Sequence, residues 1–193
     1  MNINTQLSTW WDESRDGNVA SFGLIHHQLY PALNHYLLKI IKDDDICQDI
    51  LQDLFIKLWE RKAGFGPIQY VKVYFFRSAR SMAINYLKSQ KNHTPLDDGH
   101  LAIDMEFSPE EVMVGLENDQ AMNHLLASAL NTLPKRQREM IFLKYFDGWN
   151  YDQIAEVTGI KYQSVVNHVH RAVIQLRQEL TSDRQMQDCR IAV

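Results

Sequence analysis

The chain has 193 residues, of which 45% are hydrophobic, and a formal net charge of -4. This composition excludes a collagen-like or disordered chain and suits a globular protein with one sizeable core or two small ones. No apolar run approaches the roughly 18 residues of a membrane span, and the N-terminus lacks the pattern of a secretion signal. We therefore expect a cytoplasmic protein that does not insert directly into a membrane.

The charged residues are unevenly distributed along the chain. Residues 1–91 contain 11 basic and 9 acidic residues, residues 92–126 contain 0 and 8, and residues 127–193 contain 9 and 7. Two mildly basic modules therefore flank an acidic segment. Between Arg61 and Leu96 there are seven basic residues and no acidic one. A field of one sign suits a polyanionic partner, although an ordinary solvated surface has the same pattern.

The first module is predicted to be helical. The stretch LIHHQLYPALNHYLLKII indicates a helix whose start is left open by Pro31. In IKDDDICQDILQDLFIKLWERK the apolar residues follow a helical period, and Asp43, Asp44 and Asp45 precede them. Acidic groups favour a helix N-terminus, so we prefer a helix start there to a metal site. After a break at KAGFGP, IQYVKVYFFRSARSMAINYLKSQK is predicted to form one long basic and aromatic helix.

The acidic segment NHTPLDDGHLAIDMEF has no periodicity and is predicted to be a linker. It ends at SPEE, where Ser108 can cap a helix, Pro109 suits the first turn, and Glu111 completes a capping box. Further helices follow, and one of them begins at Pro134 and continues to about Phe146.

The stretch YDQIAEVTGIKYQSVVNHVHRAVIQLR, residues 151–177, predicts a helix-turn-helix. Gly159 can adopt the positive φ that a tight turn between two helices requires. Ala155 is small where the helices approach most closely, and Val165 lies on the inner face of the second helix. Asn150 can cap the first helix, with Gln153 at the reciprocal position of a capping box. An ordinary helical hairpin packed as core remains the alternative.

In a DNA-binding helix-turn-helix, the second helix enters the major groove and presents the outward side chains of its first turns to the bases. Gln and Asn can bind adenine, Arg can bind guanine, and Lys and Arg can also bind phosphates. The histidines at positions 168 and 170 point to different faces, which makes a metal site a poor interpretation. The candidate DNA-binding residues are Lys161, Tyr162, Gln163, Ser164, Asn167, His168 and Arg171.

Three stretches of the chain carry a family resemblance. LNTLPKRQREMIFLKYFDGWNYDQIAEVTGIKYQSVVNHVHRAVIQLRQEL resembles the C-terminal domain of extracytoplasmic-function (ECF) sigma factors of the sigma-70 family. CQDILQDLFIKLWERK and YVKVYFFRSARSMAINYLKSQK are similar to the N-terminal domain of that family, in the same order and at the same distance. The stretch GIKYQSVVNHVHRA is most similar to the sequences of family members that are abundant in Bacteroidetes.

The predicted fold is all-α, with two small helical domains joined by an acidic linker. The first domain, residues 1–92, resembles sigma-70 region 2. The second, residues 110–182, resembles region 4 and contains the helix-turn-helix. The linker spans residues 93–109, and a tail spans residues 183–193.

The resemblance implies a sigma factor that binds core RNA polymerase through the β′ clamp helices and the β flap. It implies promoter DNA as a second partner and an anti-sigma factor as a third. The segment Asp-x-x-Gln-Asp-x-Phe is similar to the family's β′-binding segment, which makes Asp49, Gln52, Asp53 and Phe55 the candidate core-binding residues. Without the family, they are a solvated face plus a core residue, Phe55.

The resemblance assigns the basic and aromatic helix to recognition and melting of the minus-10 element. Cations can follow the phosphates of separated strands, and aromatic rings can stack on unpaired bases. Not all of these residues can face outward, and the adjacent Phe75 and Phe76 are at least partly core. The candidates are Tyr70, Lys72, Tyr74, Arg77, Arg80, Ser81 and Lys88.

The loop KAGFGPIQ occupies the position at which the family captures a flipped minus-10 base. Many family members carry Asn where this chain has Ser81 and a basic residue where it has Val166. The family's promoter sequence is therefore not transferred to this chain. The resemblance also implies that the acidic linker passes through the polymerase and mimics nucleic acid, a hypothesis that concerns Asp97, Asp98, Asp104 and Glu106.

No catalytic motif competes with this interpretation. The chain has no Gly-rich phosphate loop, no G-x-S-x-G and no H-E-x-x-H, and its cysteines, Cys47 and Cys189, form no C-x-x-C pair. We therefore predict no enzymatic activity, no cofactor, no metal and no small-molecule substrate. Two rival functions remain: a helix-turn-helix regulator that acts without polymerase, and an all-helical interaction protein.

Overall fold

The computed structural model describes residues 3–90, 103–112 and 120–191, with side chains described up to residue 181. Every regular element in these ranges is a helix, which confirms the all-α prediction. The chain forms two compact units. Residues up to 101 make the body of the first unit, and residues from 102 onward make the body of the second.

The described residues of the first unit form four α-helices. They are α1 (Ile3–Arg15), α2 (Val19–Ile41), α3 (Asp44–Arg61) and α4 (Val71–Gln90), with a short 3-10 turn at Lys62–Gly64 after α3. Large side chains from all four helices fill the core, since burial of apolar surface is the main force that holds such helices together. The largest fully buried ones include Leu7, Trp11, Tyr36, Leu51, Leu54, Phe75 and Phe76.

The ends of α2 and α3 follow from their sequences. Asn18 caps α2 by accepting hydrogen bonds from the backbone N–H groups of the next residues, and α2 runs through Pro31 without ending there. The Asp43 carboxylate caps α3, accepting from the Ile46 N–H at 3.2 Å. Asp44 and Asp45 lie in the first turn of α3. The aspartate triplet therefore begins a helix, as predicted.

The second unit contains α5 (Gln120–Thr132), α6 (Lys135–Ile141), a π-helical segment (Phe142–Phe146), α7 (Tyr151–Thr158) and α8 (Tyr162–Ile191). The helix predicted to begin at Pro134 is therefore α6 followed by the π-helical segment. The core of the second unit contains almost completely buried side chains, among them Met140, Phe142, Leu143, Trp149, Ile154 and Val165.

Residues 103–108, which we call the linker anchor, pack on the second unit although they lie in the predicted linker. The side chains of Ile103, Met105 and Phe107 are buried. The Asn131 side chain donates to the Phe107 carbonyl and accepts from the Phe107 N–H, both at 2.9 Å. The Arg138 guanidinium donates to the Met105 carbonyl at 2.6 Å and to the Asp104 carboxylate at 2.8 Å.

The predicted helix start at SPEE is corrected by the structure. Glu111 does accept a hydrogen bond from the Ser108 N–H at 3.0 Å, as in a capping box. Residues 109–112 nevertheless form a turn, and within the described ranges the next helix begins at Gln120. Ser108 is the last residue of the linker anchor, and its carbonyl accepts a hydrogen bond from the Glu111 N–H at 3.2 Å within this turn. Asp97 and Asp98 of the linker hypothesis lie outside the described residues.

Candidate nucleic-acid interface

The connection between α7 and α8 has the geometry of a helix-turn-helix. Gly159 has φ 71°, which confirms the predicted positive φ, and a Cβ atom added there would meet no neighbour within 4 Å. Before α7, the Asn150 side chain accepts from the Gln153 N–H at 2.9 Å, and the Gln153 side chain accepts from the Asn150 N–H at 3.0 Å. This reciprocal pair is the predicted capping box, and it fixes where α7 begins.

The inner face of α8 is apolar and buried. Val165 is 0% exposed, Val169 2% and Ala172 0%, at the three- and four-residue spacing of one helix face. The opposite face of α8 therefore points to solvent.

Of the seven candidate DNA-binding residues, Gln163, Asn167 and Arg171 lie on that outer face, Tyr162, Ser164 and His168 lie toward its edges, and Lys161 directly precedes α8. Lys161, Tyr162, Gln163, Asn167 and Arg171 are exposed, while Ser164 and His168 are half-buried. The Gln163 amide donates to the Asn167 amide oxygen at 3.3 Å, so the two amides are held side by side one turn apart. The Tyr162 ring packs edge-on against Tyr151 with 6.1 Å between ring centroids. These contacts orient the polar groups of the face before any ligand is bound.

Arg136, near the start of α6, lies close to this face. The pKa of His168 is lowered, mainly by burial and then by the positive charges of Arg136 and Arg171. His168 is therefore neutral at pH 7 and can hydrogen-bond without adding charge. Arg136 is not among the residues predicted from sequence, because an arginine in the first turn of a helix has no local sign that it lies near a residue 32 positions away.

The candidate minus-10 residues divide into two groups on α4. Helical spacing places Tyr70, Tyr74, Arg77, Ser81 and Lys88 on one side, which is opposite the buried stripe. Tyr70 is 43% exposed, Arg77 and Ser81 are exposed, and Tyr74 and Lys88 are half-buried. Five candidates thus form a continuous face.

The remaining two candidates, Lys72 and Arg80, lie toward the buried side. The Lys72 ammonium lies 5.5 Å from the centre of the Phe76 ring, and the Arg80 side chain is only 6% exposed. Phe75 and Phe76 are both fully buried. The structure therefore argues against the expectation that Arg80 faces a nucleic acid, whereas Lys72 is half-buried and its role stays a prediction.

The candidate polymerase-binding residues lie on α3. Asp49, Gln52 and Asp53 are exposed on one face, and Asp53 pairs with Lys57 at 3.0 Å. Phe55 instead points into the core, where its ring centroid lies 5.5 Å from that of Phe75 and 4.5 Å from that of His26. The structure favours the alternative interpretation of Phe55 as a core residue behind the exposed face.

Other kinds of site have little support in the described ranges. No group of three or more His, Cys, Asp and Glu residues there could hold a metal ion. Within the same ranges, every helix is too short or too polar to cross a membrane. Cys47 is buried, and burial followed by the charge of Asp44 raises the pKa of its thiol to about 11.

Comparison with known families identifies both units. A model described as sigma-70 region 2 matches residues 25–93, and one described as sigma-70, region 4 matches residues 123–176. The chain belongs to the sigma-70 family. The sigma factor therefore binds core RNA polymerase and promoter DNA and directs transcription initiation, and the two rival functions are not supported.

Curated relatives point to the ECF group of this family. The sigma factor is 26% identical over 143 residues to RNA polymerase sigma factor SigV of Bacillus subtilis, covering 74% of this chain and 81% of SigV. It is 20% identical over 176 residues to ECF RNA polymerase sigma factor SigK of Mycolicibacterium vanbaalenii, covering 91% and 89%. It is an ECF sigma factor, as predicted. The finer resemblance to Bacteroidetes versions stays a prediction.

Solved structures share the fold. CnrH, solved in complex with the cytosolic domain of CnrY, aligns with a TM-score of 0.61 and 20% identity over 92% of this chain and 99% of CnrH. The sigma factor RpoE of Bartonella quintana, solved in complex with the anti-sigma factor NepR, aligns with a TM-score of 0.60 and 23% identity. That alignment covers 86% of this chain and 99% of RpoE.

Proposed function

We propose that the exposed face of α8 recognises the minus-35 element, while the α4 face and the preceding loop recognise and melt the minus-10 element. The observation that carries the first assignment is the oriented pair of Gln163 and Asn167, flanked by Lys161, Arg171 and Arg136. Amides suit base edges and cations suit phosphates. The aligned side chains of α4 support the second assignment, because separated strands favour rings with neighbouring cations.

We further propose that Asp49, Gln52 and Asp53 bind the β′ clamp helices. A separate apolar groove in the second unit, of about 560 Å³, suits the β flap. Tyr145 and Phe146 at this groove are 60% and 36% exposed, a large apolar area for a free surface. The groove is lined by Glu111, Val112, Leu126, Leu130, Ile141, Tyr145, Phe146, Val173, Leu176, Arg177 and Leu180.

Three further features of the function are inferred from the family. The sigma factor acts in the cytoplasm, where core polymerase and promoters are. It is not itself an enzyme, because the polymerase carries out the chemistry. An anti-sigma factor is the class of regulator that we propose for it, since RpoE was solved with the anti-sigma factor NepR.

Run-off transcription tests the proposal. Purified core polymerase is incubated with a pool of genomic promoter fragments, with and without the sigma factor. We expect new start sites only when it is present, and we expect Gln52→Ala plus Asp53→Ala to abolish them. Gln28→Ala plus Asp16→Ala, which changes the same residue types at exposed positions outside α3, is the matched control and should retain activity. Equal loss in both double variants would contradict the α3 assignment.

A further inference from the structure

Helix α1 contacts the loop between α3 and α4 although it lies outside the family match, which begins at residue 25. The contact is made by Trp11, whose side chain is 0% exposed. Its ring centroid is 6.0 Å from that of Phe65 in the loop and 6.0 Å from that of Phe75 in α4. Trp11 thus connects the loop to the core of the first unit.

The loop, residues 62–70, has two attachments to its surroundings that involve α1 or α4. Near its start, the Phe65 ring lies against Trp11 and also, edge-on at 5.5 Å, against Tyr74 of α4. Near its end, the Gln69 carbonyl lies 3.5 Å from the Ser8 hydroxyl of α1, whose shorter hydrogen bond, at 3.1 Å, goes to the Asn4 carbonyl within α1.

The middle of the loop is held less firmly than these two ends. Between these attachments Gly66 and Pro67 are exposed, and a Cβ atom added at Gly66 would meet no neighbour within 4 Å. Glycines also give the backbone more conformations to lose on ordering. The loop therefore depends on its attached ends for a defined conformation.

We propose that α1 is a positioning element for promoter recognition, in which Trp11 fixes Phe65 and thereby shapes the loop that receives an unpaired minus-10 base. The inference rests on the proposed role of this loop. Extruding a base from the stack is unfavourable, so the pocket must be formed beforehand to distinguish one base from another. Trp11 acts through Phe65 and does not itself contact DNA, since it is fully buried.

The test compares base discrimination by holoenzymes with Trp11→Ala, Trp11→Phe and Tyr36→Ala. Tyr36 is a matched control, because it is equally buried but lies in α2 against Phe76. Promoter fragments used by the wild type are substituted at each minus-10 base in turn, and the ratio of initiation on the parent to that on the substituted fragment is measured. A lower folded fraction reduces initiation on all fragments alike and leaves this ratio unchanged.

We expect Trp11→Ala to lower the ratio by about tenfold at the base received by the loop, as for loss of one base-edge contact. Trp11→Phe should restore most of it, because the ring remains and the indole N–H has no hydrogen-bond partner among the described residues. Tyr36→Ala should leave the ratio unchanged. An unchanged ratio in Trp11→Ala would overturn the proposal.

Two further measurements distinguish a failure of the positioning role of Trp11 from a failure of the proposed role of the loop. In the full chain without polymerase, amide hydrogen exchange of residues 64–70 should be faster in Trp11→Ala than in Tyr36→Ala, and equal exchange would overturn the positioning role even if the variant initiates poorly. Gln69→Ala tests the loop itself. If it leaves every ratio unchanged, the proposed role of the loop fails, whatever the exchange data show for Trp11.

Discussion

The half-buried imidazole of His168 makes the stability of the folded protein depend on pH. Burial and two neighbouring arginines lower its pKa in the folded protein. The unfolded chain therefore binds a proton at a higher pH than the folded one, and the free energy of unfolding falls as the pH drops below the ordinary pKa of histidine. We expect His168→Gln to show a smaller loss of stability than the wild type between pH 7.5 and pH 5.5, by urea unfolding.

His26 provides the comparison for this experiment. Burial, followed by the charge of His27, also lowers the pKa of His26, but in the first unit. His26→Gln should therefore reduce the same pH dependence without changing minus-35 binding. If the free energy of unfolding of both variants depends on pH as strongly as that of the wild type, the assigned pKa directions are contradicted.

Gly159 is predicted to be intolerant of a side chain because of its backbone and not because of its surroundings. A Cβ at this position would meet no neighbour, but φ is 71°. We expect Gly159→Ala to lower the free energy of unfolding by about 1–2 kcal/mol. Gly23→Ala, in the second turn of α2 and equally open, should instead raise it by roughly 0.5–1 kcal/mol. If denaturant unfolding shows that the two substitutions change the free energy of unfolding in opposite directions, the backbone explanation is supported. A change in the same direction would contradict it.

At the scale of elements, the linker anchor is held by one arginine more than by any surface pair. Arg138 is 9% exposed and donates to both Asp104 and Met105, whereas the Lys135 side chain, which also pairs with Asp104, is 50% exposed. We expect Arg138→Ala to cost about 2 kcal/mol of stability, because hydrogen bonds to a charged group are lost. Lys135→Ala should cost less than about 1 kcal/mol.

A double-mutant cycle between Asp104→Ala and Arg138→Ala measures how much of the lost stability comes from the contact between these two side chains. We expect the two substitutions to be non-additive, since each removes the same contact. Additive losses would show that Arg138 stabilises the anchor only through the Met105 carbonyl and its packing.

The helices and the helix-turn-helix could be predicted from sequence because their determinants are local. The Asn150 and Gln153 box, the positive φ of Gly159 and the Asp43 cap all act within a few residues. The linker anchor could not be predicted in this way, because Arg138 recognises a backbone carbonyl 33 residues away.

The candidate sites were predictable to a similar extent. The periodicity of α4 separates Tyr70, Arg77 and Ser81 from the buried stripe once the helix is known. Sequence charge alone did not separate Arg80 from Arg77, although only Arg77 is exposed. The contact between Trp11 and Phe65 joins residues 54 positions apart and has no local signal.

For the whole molecule, the acidic linker and the linker anchor must be tested separately. Asp104 pairs with Lys135 and Arg138, so its substitution changes stability as well as charge. We expect Asp97→Asn plus Asp98→Asn to weaken initiation by the holoenzyme while the urea midpoint of the free protein stays unchanged. Asp104→Asn should lower that midpoint. Unimpaired initiation by the Asp97 and Asp98 variant would contradict nucleic-acid mimicry by the linker.

The reactivity of the buried Cys47 thiol can report how often the first unit opens. A thiol reacts as the thiolate, and with a pKa of about 11 inside the core it reacts only when α3 separates from its neighbours. In a Cys189→Ser background, the labelling rate of Cys47 therefore measures how often this opening occurs. Because the proposed polymerase-binding face lies on the same helix, labelling of Cys47 should become slower when core polymerase is bound.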